Sequence, residues 1–282
     1  MCIKDIKKTE CIKNPENIDW INLWQKKVSK KRKKPKNWDK EASKFSKRSK
    51  QDEYQENLLS KMRISKEDSV LDLGCGEGSI TIPLANVVKK VTAVDSSEKM
   101  LEILESKCEK EKITNIEIIK ENLEDITLDH IGKHDIVLLS RSINGIYKIK
   151  ETLTNINNIA NKYVYITLFG PSSWKFEKGF YESIHKKLDE PRLDFAPYSY
   201  LFNILVNMQI CPNVENIEIK TSRSYDSIED AMNNGRLDLD SFTKQEKDKL
   251  HDYLKKNLIK NKKGKLEHSD DKSDWILIWW KK

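Results

Sequence analysis

The sequence predicts a single doubly wound α/β domain, and three observations support this expectation. Short apolar segments alternate with amphipathic helical segments between residues 69 and 169. The first apolar segment runs directly into a glycine-rich turn at residues 74–78. The chain of 282 residues is long enough for one such domain with insertions. Strands that alternate with helices form βαβ units, so we expect a mostly parallel sheet covered by helices.

The charge of the chain is unevenly distributed. Residues 1–50 hold 17 Lys/Arg and 6 Asp/Glu, whereas the whole chain has a net charge of +7. A basic arm on a mildly acidic body favours either a polyanionic partner or a merely solvated lysine-rich segment. No apolar stretch approaches the roughly 18 residues that span a bilayer, and the chain starts without a signal-peptide pattern, so no membrane association is expected. The five cysteines include no CxxC pair, which is typical of reduced thiols in a cytoplasmic protein.

The first 63 residues show helical periodicity. An apolar stripe predicts a helix over residues 16–31, which should end before Pro35. A second helix is expected from Asn37, a good N-cap, and a third over residues 52–63. We therefore divide the chain into a basic helical extension, residues 1–36, and a main domain, residues 37–282.

The alternating core follows in a regular order. Strands are predicted at 69–74, 90–95, 115–120, 134–140 and 163–169. Helices are predicted at 79–88, 97–111 and 149–161, with Ser97 as the N-cap of the second.

The last third of the chain departs from this alternation. Residues 214–220 and 274–282 are both strand-like, and a helix is expected near 243–258. We expect insertions at about 171–211 and 221–272. The first is rich in aromatic residues and should form an α-helical cap.

The glycine-rich turn carries the strongest functional signal. Gly74, Gly76 and Gly78 let the backbone turn tightly and let a ligand approach it, with Cys75 between the first two. Asp72 ends the preceding strand, at the edge of the sheet where ligands bind in this fold class. A dinucleotide-binding G-x-G-x-x-G motif needs glycine or alanine at position 79, where this chain has Ser79.

A second acidic residue follows at the end of the next strand. Asp95 lies 17 residues after Gly78, and a carboxylate there can accept hydrogen bonds from the two ribose hydroxyls of an adenosine-containing ligand. Taken separately, Gly74 is also compatible with a plain turn, and Asp95 with a helix cap.

Four segments together resemble the class I S-adenosylmethionine (SAM)-dependent methyltransferases of the small-molecule type. They are VLDLGCGEGSITIPLA from Val70, VTAVDSSEKML from Val91, IEIIKENLEDI from Ile116 and HDIVLLSRSI from His134. The resemblance covers residues 37–220 in order. It implies a Rossmann-like sheet of seven strands, mostly parallel with an antiparallel last strand, and SAM as the cofactor.

The resemblance also implies roles for individual residues. Asp72 and the loop Gly74–Gly78 would lie against the methionine part of SAM, and Asp95 would hold the ribose. Ser96 and Met100 would flank the adenine, and Asn122 and Leu123 would meet its edge. Ser140 would face the sulfonium and the methyl acceptor.

Two departures from the family pattern matter. Asn122 stands where aspartate is frequent, and its amide oxygen makes a weaker bond than a carboxylate would. Ser140-Arg141-Ser142 stands where many enzymes that methylate nucleic-acid bases or glutamine have Asn/Asp-Pro-Pro-Tyr. The second departure counts against those acceptors.

The segment before the first strand is a candidate lid. In related enzymes it folds over the cofactor, so Phe45, Arg48 and Tyr54 are candidates to cover SAM or to bind its carboxylate. The alternative is that Trp38 and Phe45 pack on the flank of the sheet. His130 and His134 have acidic neighbours but lack a helix that would align them as metal ligands, so we expect a solvated loop and no metal.

Three functions remain open at this point. The first is methyl transfer to a small molecule under an aromatic cap, which the sequence favours. The second is an RNA or protein methyltransferase that uses the basic arm Lys26–Lys36. The third is a non-catalytic SAM-binding or nicotinamide-dependent protein. No catalytic residue is assigned, because an acceptor that is a thiol, an amine or an acidic hydroxyl needs no general base.

Overall fold

The computed structural model describes residues 18–32, 38–39, 53–184, 196–219, 223–234, 239, 242–270 and 274–282. The helices are α1 Trp20–Arg32, α2 Glu53–Lys61, α3 Thr81–Ala85, α4 Glu98–Glu111, α5 Leu128–Ile131, α6 Ile149–Ile159, α7 Lys175–Ser183, α8 Tyr198–Asn207, α9 Ile228–Asn234 and α10 Lys244–Asn257. The strands are β1 Ser69–Leu73, β2 Lys90–Asp95, β3 Ile116–Lys120, β4 His134–Leu139, β5 Ala160–Phe169, β6 Asn213–Ile217, β7 Ser224–Tyr225, β8 Ile259–Lys260, β9 Leu266–Glu267 and β10 Trp275–Lys281.

The main sheet has the strand order β3-β2-β1-β4-β5-β10-β6. Neighbouring strands from β3 to β5 pair in parallel, whereas β10 pairs antiparallel with both β5 and β6. The predicted seven-stranded, mostly parallel sheet with an antiparallel last strand is therefore confirmed. The chain order reverses between β1 and β4, and a ligand crevice is expected at the carboxyl ends of these two strands.

The sheet is covered on both faces, which explains why its strands are apolar throughout. Leu71 and Val137 point into a cluster that includes α1, α6 and α8. Val70 and Ile136 point the other way, into a cluster with α2 and α3. Successive residues of a strand face opposite sides, so each central strand needs two apolar sets.

Helix α1 is part of the core although it carries basic residues. Trp24 and Val28 are fully buried, and the Trp24 indole Nε1 donates to the Ile146 carbonyl at 2.7 Å. The Trp20 ring lies 5.6 Å from the Tyr200 ring of α8. The basic segment is thus anchored by its apolar stripe, as the helical spacing predicted.

The amino edge of the sheet is held by an ionic network. Lys162 Nζ lies 2.5 Å from Asp68 Oδ1 and 3.3 Å from Asp135 Oδ1. Asp135 also accepts from both the backbone N–H and the hydroxyl of Ser69. These contacts join β1, β4 and β5 at the edge opposite the crevice.

A small second layer stands at the carboxyl edge, and we call it the cap. It consists of α7, α9, α10 and the three-stranded sheet β7-β9-β8, around an apolar cluster of its own that includes Phe180 and Phe242. Two aspects of the expected cap were wrong. It contains strands as well as helices, and α8 with its aromatic residues packs into the main core, because Leu201 and Leu205 are buried there.

A narrow neck joins the cap to the sheet, where β5 ends and β10 begins. The Gly170 N–H donates to the Asp274 carbonyl at 2.8 Å, and the Asp274 carboxylate accepts from the Ser172 N–H and the Ser173 hydroxyl. A Cβ atom on Gly170 would lie 2.4 Å from Asp274 Oδ2, so glycine is required there by the close approach.

Two local predictions need correction. The helix predicted at 79–88 ends at Ala85, because the Asn115 side chain donates to the Ala85 and Val88 carbonyls in place of a further helical turn. His134, expected in a solvated loop, is buried as the first residue of β4, and its Nε2 lies 3.0 Å from the Thr92 hydroxyl. Burial lowers the pKa of His134, so a neutral ring is favoured.

Candidate active site at the carboxyl edge

The glycine loop has the geometry that its sequence requires. Gly74, Gly76 and Gly78 all have positive φ, and the Gly74 and Cys75 N–H groups both donate to the Val94 carbonyl of β2. A Cβ atom on Gly74 would lie 2.3 Å from Ser142 Cβ, so the neighbouring chain leaves room only for glycine at this position. Gly76 has nothing within 4 Å of its Cβ direction, which leaves that part of the loop open to a ligand.

Asp95 holds the loop to the start of α4. Its Oδ2 accepts from the Gly76 N–H and its Oδ1 from the Ser97 N–H, both at 2.9 Å. Ser97, as predicted, is the N-cap of α4, since its Oγ accepts from the Met100 N–H. Each carboxylate oxygen has a second lone pair, so the bonds that shape the turn are compatible with ribose binding, which remains a prediction.

Asp39, which the sequence analysis did not single out, also contacts the start of α4. Its Oδ1 accepts from the Ser97 hydroxyl at 2.6 Å and from the Lys99 N–H at 3.3 Å. The hydrogen bond from Ser97 lowers the pKa of Asp39. The described part of the predicted lid segment therefore lies against the end of β2, while Phe45 and Arg48 fall outside the described residues.

Asp72 is buried at the base of the crevice. Its Oδ2 accepts from the Thr81 hydroxyl at 2.7 Å, whereas its Oδ1 has no hydrogen-bond donor among the described residues. Burial raises the pKa of Asp72 to about 6. A buried acceptor without a donor is costly in a folded protein, and a ligand ammonium group would satisfy it.

Tyr54 does not lie at the surface as a movable lid residue would. Its side chain is fully buried, and its hydroxyl lies 2.8 Å from the Ser140 Oγ and 2.7 Å from the Thr167 Oγ1. Burial raises the pKa of Tyr54, so the hydroxyl stays protonated at neutral pH. These contacts pack Tyr54 against the sheet, directly beside Ser140.

Arg141 is the site residue that sequence reasoning missed. It follows β4, has φ +61°, and its guanidinium carbon lies 4.3 Å from the centroid of the Tyr54 ring. Its Nη2 is 3.4 Å from the Ser79 Oγ at the end of the glycine loop. The sequence did contain one indication, because Arg141 follows the carboxyl end of β4. In the family pattern, this segment faces the methyl acceptor.

The remaining predicted residues lie in the glycine loop, in α4 and just after β2 and β3. Met100 and Cys75 are buried, and burial raises the pKa of the Cys75 thiol well above its usual range. Leu123 approaches Gly74, since its Cδ1 would lie 3.4 Å from a Cβ there. Ser96 and Asn122 are exposed at the ends of β2 and β3. Their adenine contacts remain predictions.

The residues present fit SAM. A glycine loop open at Gly76, a carboxylate at the end of β2 and an orphaned buried acceptor at Asp72 suit a ligand with a ribose and an ammonium group. No cluster of three potential metal ligands occurs within the described ranges. Together with the strand order, this site defines a class I SAM-dependent methyltransferase.

Comparisons with known proteins agree with the fold and show the family. Residues 64–263 match the family model described as "Methyltransferase domain", and the chain belongs to this family. An uncharacterized protein of Haemophilus influenzae is 28% identical over 249 residues, which cover 87% of this chain and 89% of that protein. The solved structure of the YcgJ protein from a Bacillus species covers 81% of this chain and 97% of its own, with 13% identity and a TM-score of 0.54.

Other curated relatives match over shorter segments. The match spans 24% of a protein from Methanosphaera stadtmanae named "Probable ribosomal RNA small subunit methyltransferase A", at 38% identity over 23% of this chain. It spans 64% of a protein from Methanocaldococcus jannaschii named "Probable cobalt-precorrin-6B C(15)-methyltransferase (decarboxylating)", at 33% identity over 37% of this chain. These relatives bear different acceptor names, so membership in the family leaves the acceptor open. No helix in the described ranges is long and apolar enough to cross a membrane.

Proposed function

We propose that this protein transfers the methyl group of SAM to a small molecule held between the carboxyl edge of the sheet and the cap. The observation that carries the proposal is the position of the neck. Asp274 fixes the cap to Gly170, and the next residue, Trp275, lies against the site, with its ring 5.7 Å from the Arg141 guanidinium carbon. A cap attached one residue from the site is suited to enclosing a small acceptor.

Aromatic rings line this junction. The Phe169 and Trp275 rings stack at 4.1 Å, and the Tyr54 ring lies 5.4 Å from Trp275. Tyr54 and Trp275 are buried and exclude water from the base of the site, whereas the half-buried Phe169 offers an apolar surface at the junction. These rings support an acceptor with an apolar part.

When bound, SAM supplies an electrophilic methyl group on a positively charged sulfonium. The chain would contribute alignment and exclusion of water. Tyr54 remains protonated because burial raises its pKa. This favours an acceptor that is nucleophilic by itself, such as a thiol, an amine or an acidic hydroxyl.

The second candidate, an RNA or protein acceptor, is suggested by the basic N-terminal segment. Lys26 lies exposed on α1, and one relative with a short match bears an rRNA methyltransferase name. However, α1 turns its apolar stripe into the core through Trp24 and Val28. Only part of its surface is available for a polyanion, which favours the small-molecule acceptor.

The acceptor class can be tested with methyl-labelled SAM. The purified protein is incubated with a low-mass metabolite extract, total RNA and a protein fraction, in separate reactions at physiological salt. We expect label in the low-mass fraction alone. Label in RNA or protein, and none in metabolites, would contradict the proposal, and no label anywhere would favour a non-catalytic SAM-binding protein.

A variant of α1 tests more specifically whether its lysines bind an RNA acceptor. Deleting residues 1–36 would remove buried Trp24, so the double substitution Lys26→Gln and Lys27→Gln should be used instead. Phosphate contacts make binding weaken with salt, and each lost lysine contact reduces the salt slope by about one. We expect this variant to label metabolites as the unmodified protein does.

A further inference from the structure

A buried amide in the turn after β4 has no role in the site described so far. The short 3₁₀ helix Ile143–Gly145 follows Ser142, and its middle residue, Asn144, is only 4% exposed. Asn144 Oδ1 is enclosed and accepts no hydrogen bond from the residues that the structure describes. A buried amide oxygen without a donor is costly, so its presence in a folded protein needs a specific explanation.

The polar side chains just before Asn144 differ from it, because the fold provides their partners. Ser140 Oγ lies 2.8 Å from the Tyr54 hydroxyl, and Ser142 Oγ donates to the Leu73 carbonyl at 2.7 Å. These two bonds hold the chain after β4 to α2 and to β1. Asn144 Oδ1 makes no such bond within the described ranges, so the fold itself does not account for an amide at this position.

The geometry of the turn directs Asn144 away from the apolar face of the main core. A 3₁₀ helix has three residues per turn, so Ile143 and Ile146 lie on one face, and Asn144 is rotated from that face by about 120°. Ile143 and Ile146 are buried in the cluster that includes α1 and α6. The Asn144 side chain is therefore buried on a different side of the turn from these two apolar side chains.

The turn lies beside the carboxyl end of β5, close to the neck. Strands β4 and β5 pair in parallel, and beyond β4 the Arg141 N–H still donates to Thr167 Oγ1 of β5 at 2.9 Å. The turn itself packs against β5 as well as against α1. Because β5 continues into the neck at Gly170, Asn144 lies near the junction of sheet and cap. This is the junction at which the methyl acceptor is proposed to bind.

We infer that Asn144 recognises the methyl acceptor, with its Oδ1 accepting a hydrogen bond from an uncharged O–H or N–H group of that molecule. The inference rests on the proposed function and narrows it, because the methyl acceptor must carry such a donor besides its apolar part. A neutral amide oxygen does not offset the cost of burying an ammonium group, so an uncharged donor is favoured. A molecule without a donor would leave the buried oxygen unsatisfied and would be rejected.

Methyl-labelled SAM and a low-mass metabolite extract test this role in the purified protein. Asn144→Leu removes the amide and keeps a branched side chain, whereas Asn144→Ala removes it without adding volume. In both variants we expect the labelled low-mass product to fall at least about fivefold, as when a donor of the ligand loses its partner. The loss should be largest in the most dilute extract, because weaker binding of the methyl acceptor raises KM.

Two measurements and a matched variant separate recognition from a structural role. Calorimetry should show that the affinity for S-adenosylhomocysteine changes by less than about twofold in both variants, since its contacts are retained. The melting temperature of Asn144→Leu should equal or exceed that of the wild type, because a buried oxygen without a partner is removed. Asn155→Leu is the matched variant, since Asn155 Nδ2 donates to the Ile126 carbonyl at 2.9 Å. It should lower the melting temperature and leave the labelled product per folded molecule unchanged.

Unchanged labelling in Asn144→Leu and Asn144→Ala, with the wild type active on the extract, would overturn the inference and leave the proposed function intact. A lowered melting temperature in both variants, with labelling reduced equally at every dilution of the extract, would overturn it as well, because Asn144 would then be structural. Label from the wild type in RNA or protein alone, or in no fraction, would instead refute the proposed function.

Discussion

Replacement of Asp72 by asparagine should stabilise the ligand-free protein at neutral pH. Burial raises the pKa of Asp72 to about 6 in the folded state, from a usual value of 3.8. The folded state therefore binds the proton more tightly than the unfolded chain does, so stability falls as pH rises from about 4 to about 6. Each pH unit of separation corresponds to about 1.4 kcal/mol, which gives a penalty of roughly 3 kcal/mol above pH 6.

Asparagine carries no charge and avoids this penalty, although its amide N–H groups need an acceptor. We expect Asp72→Asn to raise the free energy of unfolding at pH 7.5 by roughly 1–3 kcal/mol, and the gain to disappear near pH 4. Guanidinium denaturation of both proteins at pH 7.5 and pH 4.5 measures this difference. The nearby charges, Asp95 and Arg141, are unchanged in the comparison.

A second buried aspartate provides a control with the opposite sign. Asp68 accepts from the Ser65 N–H at 2.7 Å and forms an ion pair with Lys162. Asp68→Asn should therefore lower stability at pH 7.5. An Asp72→Asn protein that is no more stable than wild type at pH 7.5, or whose gain persists unchanged at pH 4.5, would refute the reasoning that its charge is buried at a cost.

Three other substitutions test the site and the neck. Asp95→Ala should weaken SAM binding at least about tenfold in calorimetry, since two charge-assisted bonds to ribose would be lost; unchanged affinity in a folded variant would make Asp95 purely structural. Tyr54→Phe should cost about 1–3 kcal/mol in urea denaturation, because the Ser140 hydroxyl loses its partner; a neutral result would mean that water replaces it. Gly170→Ala should cost about 1–3 kcal/mol, because its Cβ would meet the Asp274 carboxylate 2.4 Å away; an unchanged melting temperature would mean that the neck can shift.

The strands of the main sheet and the glycine loop could be predicted because short-range patterns determine them. A run such as that from Val70 to Leu73 is buried on both faces, so its apolar character is visible without knowledge of its neighbours. The loop glycines are likewise fixed by local φ values and close approach. The antiparallel last strand followed from the family resemblance.

The packing position of α8 in the main core could not be predicted in this way. Its apolar and aromatic residues were visible, but the partner they pack against was not, because α1 lies far away in the chain. The two-residue strands of the cap are too short to show an alternating pattern. Both features depend on long-range packing, which a single sequence does not encode as a local period.

The position of Arg141 was missed for a related reason. An arginine after a strand is ordinary in sequence, and only the structure shows its left-handed backbone and its position on the Tyr54 ring. Asp39 was missed because its partner, Ser97, lies 58 residues further along the chain. Its bond to Ser97 depends on how the chain crosses the sheet edge.

The hydrogen bond from Trp24 to the Ile146 carbonyl joins the basic helix to the same turn that carries Arg141. Two binding events that act on one turn are linked thermodynamically, and linkage is reciprocal. A polyanion that bound α1 and tightened this turn would raise SAM affinity by some factor. SAM would then raise the affinity for that polyanion by the same factor. The occupancy of the cofactor site would then change the affinity of α1 for the polyanion, even if α1 never contacts the methyl acceptor.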